Sequence, residues 1–307
     1  MCASAVFLAA VLATSPGASD YIADYAKLKA DVPAEKMEAH LADWRKREPT
    51  NPDAWILSAN WFFEQARGGV MISTKRPVGG DFAVVDPKTG KEVGSIAAAE
   101  GFDPAKTNKA AAFLREALKR WPQRLDIHGG LAHMMQESGQ WDAEMAVLRA
   151  MVAAAKSHAG KLRWCHDEAL DMSDEEFLAW RLHSYALEQY RKETPEGDAH
   201  LREIAQLNVE SCPNQPYGYN DLAICHVMSK NWPEAQKTLE AAAKIAPKDA
   251  LVWLNLGDNS ERLGKHDRAL QCYEHVLTID ADADEKTAAQ AAIKRLKNPS
   301  TPKPKRK

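Results

Sequence analysis

"WLNLGDNSERLGKHDRALQCYEHVL" (Trp253–Leu277) sets the frame in which the rest of the chain can be read. Trp253, Leu256 and Gly257 fall on one helical face, Gly264 interrupts, and Ala269 and Tyr273 resume the same spacing. Residues at that interval line one side of an amphipathic helix, and a glycine between two such runs is a turn signal. The stretch therefore predicts two helices joined by a tight turn. Small residues on the facing sides, Gly257 and Ala269, let the two helices lie close together.

The pattern recurs. About 34 residues earlier, Tyr219, Leu222 and Ala223 take the first three places, and Ala235, Leu239 and Pro247 continue it. Trp141, Trp232 and His266 hold matching positions in the turns "GQWDAE", "KNWPEA" and "GKHDRA". Leu131, Ala132 and Gly139 keep the register within residues 125–152. Ala110, Leu114, Ala117 and Pro122 reproduce the spacing of Ala235, Leu239, Ala242 and Pro247, so they mark a second helix. Its first helix is not adjacent. The candidate is "NPDAWILSANWFFEQA" (51–66), with Asn51 as cap and Pro52 at the first helical position. One hairpin is thus split by residues 67–103. Met37, Leu41, Trp44 and Pro49 repeat the second-helix spacing once more, and Ser173 with Glu176 predicts a capping box.

These residues resemble the tetratricopeptide repeat family over most of residues 20–297. The resemblance implies an all-α fold, a TPR-like α-solenoid (a right-handed superhelix of helical hairpins) with a small β insertion. Its helical pairs are expected at 20–48, 52–122, 125–158, 173–212, 216–247 and 250–281, with a cap at 284–297. The split hairpin, the strand-rich insert and the Trp-containing loop at 159–172 also resemble uncharacterised bacterial proteins of this class. What the family implies is a scaffold rather than an enzyme: no cofactor, and a peptide or partner helix held in the concave groove lined by first helices. Groove candidates are Asn60, Phe63, His133, Asn220, Met228 and Arg262, a mixed row where a plain solvated face would carry more Lys and Glu.

The insert reads differently from its surroundings. "DFAVVDPKTGKEVGSI" (Asp81–Ile96) predicts strand, turn and strand: Asp-Pro opens the turn and Gly90 closes it. Two strands alone are marginal in water. "VMIST" (Val70–Thr74) is expected to add a third, with the helices at Trp61 and Phe113 as the surface beneath. The expected role is a lip beside the groove, with Lys75, Arg76 and Lys88 as contacts.

Other functions find less support. The family's best-known groove chemistry, a clamp on a C-terminal carboxylate, needs Lys and Arg; the corresponding places hold Asn255 and Asp258, with no Lys. The ten histidines form no HExxH, the cysteines no CxxC, and no metal-ligand spacing occurs. Asp167 and Glu168 could serve a hydrolase built from the 67–103 insert and the 159–172 loop, and this is the alternative reading, beside a self-associating structural array. A net charge of -3 and pI near 6.4 argue against nucleic acid as the partner. The apolar run Ala3–Ala13 followed by Pro16 and Gly17 predicts a signal peptide over 1–19, hence an extracytoplasmic protein, with a cytoplasmic one as the alternative. No stretch predicts an integral membrane span. The basic end, 298–307, is expected to be a disordered tail.

Overall fold

Pairs of antiparallel helices dominate the described residues, which are 19–31, 33–68, 70–73, 82–98 and 101–298 of this computed structural model. They fall into two compact units, 1–169 and 170–307. The leader expected over 1–19, the tail from 299 onward, and the lip residues Lys75 and Arg76 lie outside the described residues, apart from Ser19.

In the first unit, α1 (Ser19–Asp31) and α2 (Ala34–Arg47) form a hairpin whose fully buried side is Met37, Leu41 and Trp44. Next come α3 (Pro52–Glu64), the strands β1 (Val70–Ser73), β2 (Phe82–Val85) and β3 (Glu92–Ala98), then α4 (Pro104–Arg120). Helices α5 (Leu125–Glu137) and α6 (Trp141–Ser157) follow, and the short strands β4 (Arg163–Trp164) and β5 (Glu168–Ala169) end the unit. The split hairpin closes as expected, with α3 and α4 packed along each other despite the intervening insert. Asn51 accepts from the Asp53 amide at 3.0 Å and Asp103 from those of Ala105 and Lys106, so both helices start on a satisfied cap.

The insert is pinched at its base. Gly68 donates to the Gly101 carbonyl at 2.8 Å and Asp103 to that of Ala66 at 2.7 Å, while Phe102 stacks on Phe63 with centroids 4.7 Å apart. The antiparallel order is β1-β3-β2, so Val70–Ser73 does supply the third strand. The Asp86 carboxylate accepts from the Lys88 and Thr89 amides and Gly90 sits at φ +65°, which makes the predicted turn. Of the two expected supports, Phe113 packs elsewhere. Phe113 stacks on Phe62, beneath the Arg45 guanidinium, and the aromatic floor at the insert's base is Phe63 with Phe102.

The second unit contains α7 (Asp174–Lys192), α8 (Pro195–Ser211), α9 (Pro216–Met228), α10 (Trp232–Ile245), α11 (Ala250–Arg262), α12 (His266–Val276) and α13 (Ala283–Lys297). Each first helix packs on its own second helix and on the next first helix: α7 on α9, α9 on α11, α11 on α13. Ala223, Leu239, Ala242, Val252, Leu256 and Cys272 make one shared core cluster. Gly257 shows why a small residue is needed there, since a Cβ would lie 2.6 Å from the Tyr273 ring. Ser173 caps α7 by accepting from the Glu176 amide at 3.2 Å, but the full reciprocal box forms at Asp282 and Glu285, ahead of α13. Cys165, Cys212, Cys225 and Cys272 form no disulfide among the described residues, and no described helix is long and apolar enough to cross a membrane.

Candidate functional site

The first helices of the second unit carry a row of paired polar side chains. On α7, His183 Nδ1 lies 2.9 and 3.0 Å from the two carboxylate oxygens of Asp221 on α9. One residue earlier on α9, Asn220 accepts from Asn255 Nδ2 of α11 at 3.1 Å. Asp221 is only 1% exposed and His183 20%, so the pair is held at the edge of the interior. Burial pushes the Asp221 carboxyl up, against the lowering effect of the His183 hydrogen bond and charge. Tyr217 stacks obliquely on His183 at 5.3 Å, and its own hydroxyl is pushed up by burial, then by Glu176 and Asp249.

Each pair uses part of its hydrogen-bonding capacity and leaves the rest open. His183 Nε2, Asn220 Nδ2 and Asn255 Oδ1 have no partner among the described residues, on side chains that are buried (Asn220, 7% exposed) or partly buried. Exposed apolar groups accompany them: Trp180 on α7, Met228 on α9 and Leu251 on α11. The combination of fixed polar atoms and exposed apolar side chains suits a polypeptide, which offers both main-chain amides and side chains.

The six groove candidates from the sequence divide between the units. Asn220, Met228 and Arg262 lie in the second. Arg262 is engaged within its own helix, 3.0 Å from Asp258, with its guanidinium 5.0 Å from the Trp232 ring centre. Asn60, Phe63 and His133 lie in the first. Phe63 is buried against Phe102, with His133 at its edge 6.5 Å away, and Asn60 is half-buried. Lys88 is exposed in the β2–β3 turn. Sequence reading missed Trp180, His183, Tyr217 and Asp221. The available signal was Asp221 itself, an acid at a position of the helical frame that faces inward and so demands a partner.

The loop raised as a hydrolase element folds as a clasp. β4 and β5 pair across a tight turn whose His166 and Asp167 are left-handed, at φ 59° and 61°. Arg163 donates to the Gln123 carbonyl at 3.0 Å, tying the clasp to the α4–α5 turn. There Arg124 and Asp126, 2% and 6% exposed, form a two-pronged ion pair at 2.8 and 2.7 Å. Burial opposes the Arg124 charge, and the Asp126 hydrogen bonds and the Asp126, Asp53 and Asp167 charges more than offset it. Burial pushes the Cys225 and Cys272 thiols up to about 11, which leaves them protonated and inert as nucleophiles. Among the described residues no His, Cys, Asp and Glu groups come together as a metal site.

Residues 250–282 match the tetratricopeptide repeat model. The matched stretch is the hairpin of α11 and α12 and ends just before α13. Among solved structures the chain is similar to YrrB, a TPR protein with an unusual peptide-binding site: 16% identity over 62% of this chain and 84% of that one, TM-score 0.37. It is also similar to a TPR protein of Thermus thermophilus, at 15% identity over 62% and 91%, TM-score 0.37. A third similar structure is PilF of Pseudomonas aeruginosa, at 19% identity over 64% and 86%, TM-score 0.35. Comparison with curated proteins gives no match.

Proposed function

We propose that the protein is a non-enzymatic scaffold that holds a polypeptide segment of a partner on the α7–α9–α11 face. The observation that carries this reading is the row of open hydrogen-bonding atoms on His183, Asn220 and Asn255, each fixed by a neighbour on the adjacent first helix. Fixed groups lose little freedom on binding, so their hydrogen bonds reach a ligand at low entropic cost. Trp180, Met228 and Leu251 supply apolar contact beside them. The lip role of the insert belongs to the same reading, with Lys88 as its described contact.

A library of displayed linear twelve-residue peptides, selected on the immobilised full chain, tests this. Enriched peptides should shift the NMR signals of α7, α9 and α11, and Asn220→Ala should weaken them by about fivefold without unfolding the chain, the worth of one hydrogen bond. Peptides that map elsewhere, or none at all, overturn the reading. Export is part of the proposal, on the apolar run Ala3–Ala13. Mass spectrometry of the protein from its native host checks it, and a mature chain that still begins at Met1 or Cys2 refutes it.

A further inference from the structure

Ser173 caps α7 by accepting from the Glu176 amide, but the Glu176 side chain does not return the bond. Its carboxylate has no hydrogen-bond or ion-pair partner among the described residues. The adjacent Glu175 is occupied, accepting from the Asn214 amide at 2.9 Å and from its Nδ2 at 3.3 Å. One turn on from Glu176, on the same side of the helix, stands the exposed Trp180, with His183 three residues further. Tyr217 of α9 lies against the His183 ring at 5.3 Å, and Glu176 and Asp249 both act on its hydroxyl. An open carboxylate therefore sits in a corner walled by two aromatic rings.

Such a corner suits a cation. Ring faces are electron-rich and attract an ammonium or guanidinium within about 6 Å, and a carboxylate beside them supplies the opposite charge. Trp180 already has one such neighbour. Arg181, whose Nη2 donates to the Tyr185 hydroxyl at 3.1 Å, places its guanidinium 5.4 Å from the Trp180 ring centre. Buried Phe177 backs the same ring at 5.8 Å, and two-fifths of Trp180 stays exposed beyond both. Carboxylates outnumber cations around the corner: Asp174, Glu175, Glu176 and Asp249 against Arg181 and Lys248. At neutral pH the His183–Asp221 pair adds either no net charge or one more negative charge. The corner is negative in both cases, so its sign does not depend on how that pair is protonated.

We propose that Glu176, Trp180 and Tyr217 receive a cationic side chain, lysine or arginine, of the bound polypeptide. Asn220 follows Tyr217 by three residues on α9 and is buried, with Nδ2 unpartnered among the described residues. That donor takes a main-chain carbonyl of the same segment. This inference rests on the reading of the α7–α9–α11 face as polypeptide-binding. To that reading it adds the sign of the ligand: a basic segment gains from the corner, whereas an acidic one meets like charge.

The test uses the full chain and the peptides enriched on it from the displayed library. Those that map to this face should carry Lys or Arg at a common position. Replacing that residue by norleucine keeps an apolar stem without the charge, and should weaken binding about tenfold, the combined worth of a cation–ring contact and an exposed ion pair. Glu176→Gln should weaken the cationic peptide about fivefold and leave the norleucine peptide unchanged, so that the two losses do not add. Trp180→Leu keeps an apolar contact but removes the ring's attraction for charge, and should cost the cationic peptide more than the norleucine one. Circular dichroism checks that both variants fold. Peptides that map to this face without a common cation, or a cationic peptide that keeps full affinity for Glu176→Gln, overturn the cation site and leave the scaffold reading standing. Equal losses for the two peptides in both variants do the same. Failure to recover any peptide for this face overturns the cation site and the scaffold reading together.

Discussion

The first helices of the two units use their polar groups in opposite ways. In residues 1–169 polar groups are sealed at helix starts: Arg124 with Asp126, and the half-buried Asp53, whose carboxyl burial pushes up against the pull of Arg124 and His166. The end of α3 lies under its own insert, where Phe63 meets Phe102. In residues 170–307 two polar pairs, His183 with Asp221 and Asn220 with Asn255, link one first helix to the next, and His183, Asn220 and Asn255 each keep an atom without a partner among the described residues. A charge sealed at a helix start locks a turn, whereas a pair locked sideways across the face offers a fixed atom to a ligand. The same kind of hairpin can therefore be a closed brace in one unit and, as proposed above, a binding face in the other.

The sharpest way to break this comparison is to remove one partner of the sealed pair. Asp126→Ala leaves the Arg124 guanidinium 2% exposed without its two-pronged partner. Breaking a buried pair in that way costs about 3–5 kcal/mol. The urea midpoint of the first unit should fall accordingly, while replacing both residues by Met and Leu should recover most of the loss. A loss below about 1 kcal/mol in the single variant would show that water reaches the pair and that the turn is not locked by it.

In the second unit the corresponding test is steric. At Gly257 an added Cβ would meet the Tyr273 ring at 2.6 Å, and that ring is anchored through its hydroxyl to Glu261 at 2.7 Å. Gly257→Val should therefore destabilise the α11–α12 hairpin by about 1–3 kcal/mol, the range for overpacking. Helix propensity alone would favour the change slightly. A stabilised variant, read by thermal melting, would mean that the ring yields.

These two sites show what was legible in the sequence. Gly257 and Tyr273 belong to one local frame, so their spacing announced a close helix pair, and Asn51-Pro52 announced a helix start by chemistry within three residues. The turns starting α6, α10 and α12 at Trp141, Trp232 and His266 fall where the matching positions put them. The Arg124–Asp126 lock was not legible. Surface and buried Arg-Asp neighbours read alike, and burial here depends on the clasp at 163–169 closing over the turn. His183 and Asp221 were hidden for another reason. They lie 38 residues apart, off the repeat interval, because α7 is longer than the other first helices of its unit. Phe102 lay at the edge of a stretch read for its strands, so its stacking on Phe63 went unseen.

Acid acts on the first unit through a buried histidine. His128 on α5 is 5% exposed, places Nε2 3.1 Å from the Pro122 carbonyl, and keeps Nδ1 enclosed without a partner. Burial holds its pKa below the usual 6.5, with His158 acting in the same direction and the Pro122 carbonyl and Asp126 opposing. Below about pH 6.5 the unfolded chain takes a proton that the folded one refuses. Stability should therefore be lost as pH falls through 6.5 toward the lowered folded value, by at most about 1.4 kcal/mol per pH unit for this one group. Urea midpoints from pH 7.5 to 5 on wild type and His128→Phe give the contrast. Equal slopes in the two would remove His128 as the cause.

The smallest effect is expected from the largest change. Replacing residues 69–100 by a short Gly-Ser linker removes the whole sheet but keeps its pinched base: Arg67, Gly68, Gly101, Phe102 and Asp103. Closing a loop costs little more for many residues than for few, about 0.6 kcal/mol per doubling. Shortening this one therefore returns a small gain that sets off against the lost strand pairing. The strands pair with one another, β1 and β2 each on β3, and Val85 and Val93 are about half exposed, at 48% and 51%. A sheet bonded mainly to itself contributes little to the helices that carry it. The helical circular dichroism and the cooperativity of melting should be retained, with stability changed by less than about 1 kcal/mol. Phe102→Ala, by contrast, strikes the base and should destabilise α3 and α4 more than the entire deletion does. If the deletion instead abolishes the cooperative transition, the insert is a brace of the first unit, and its role as a lip for a bound partner is lost.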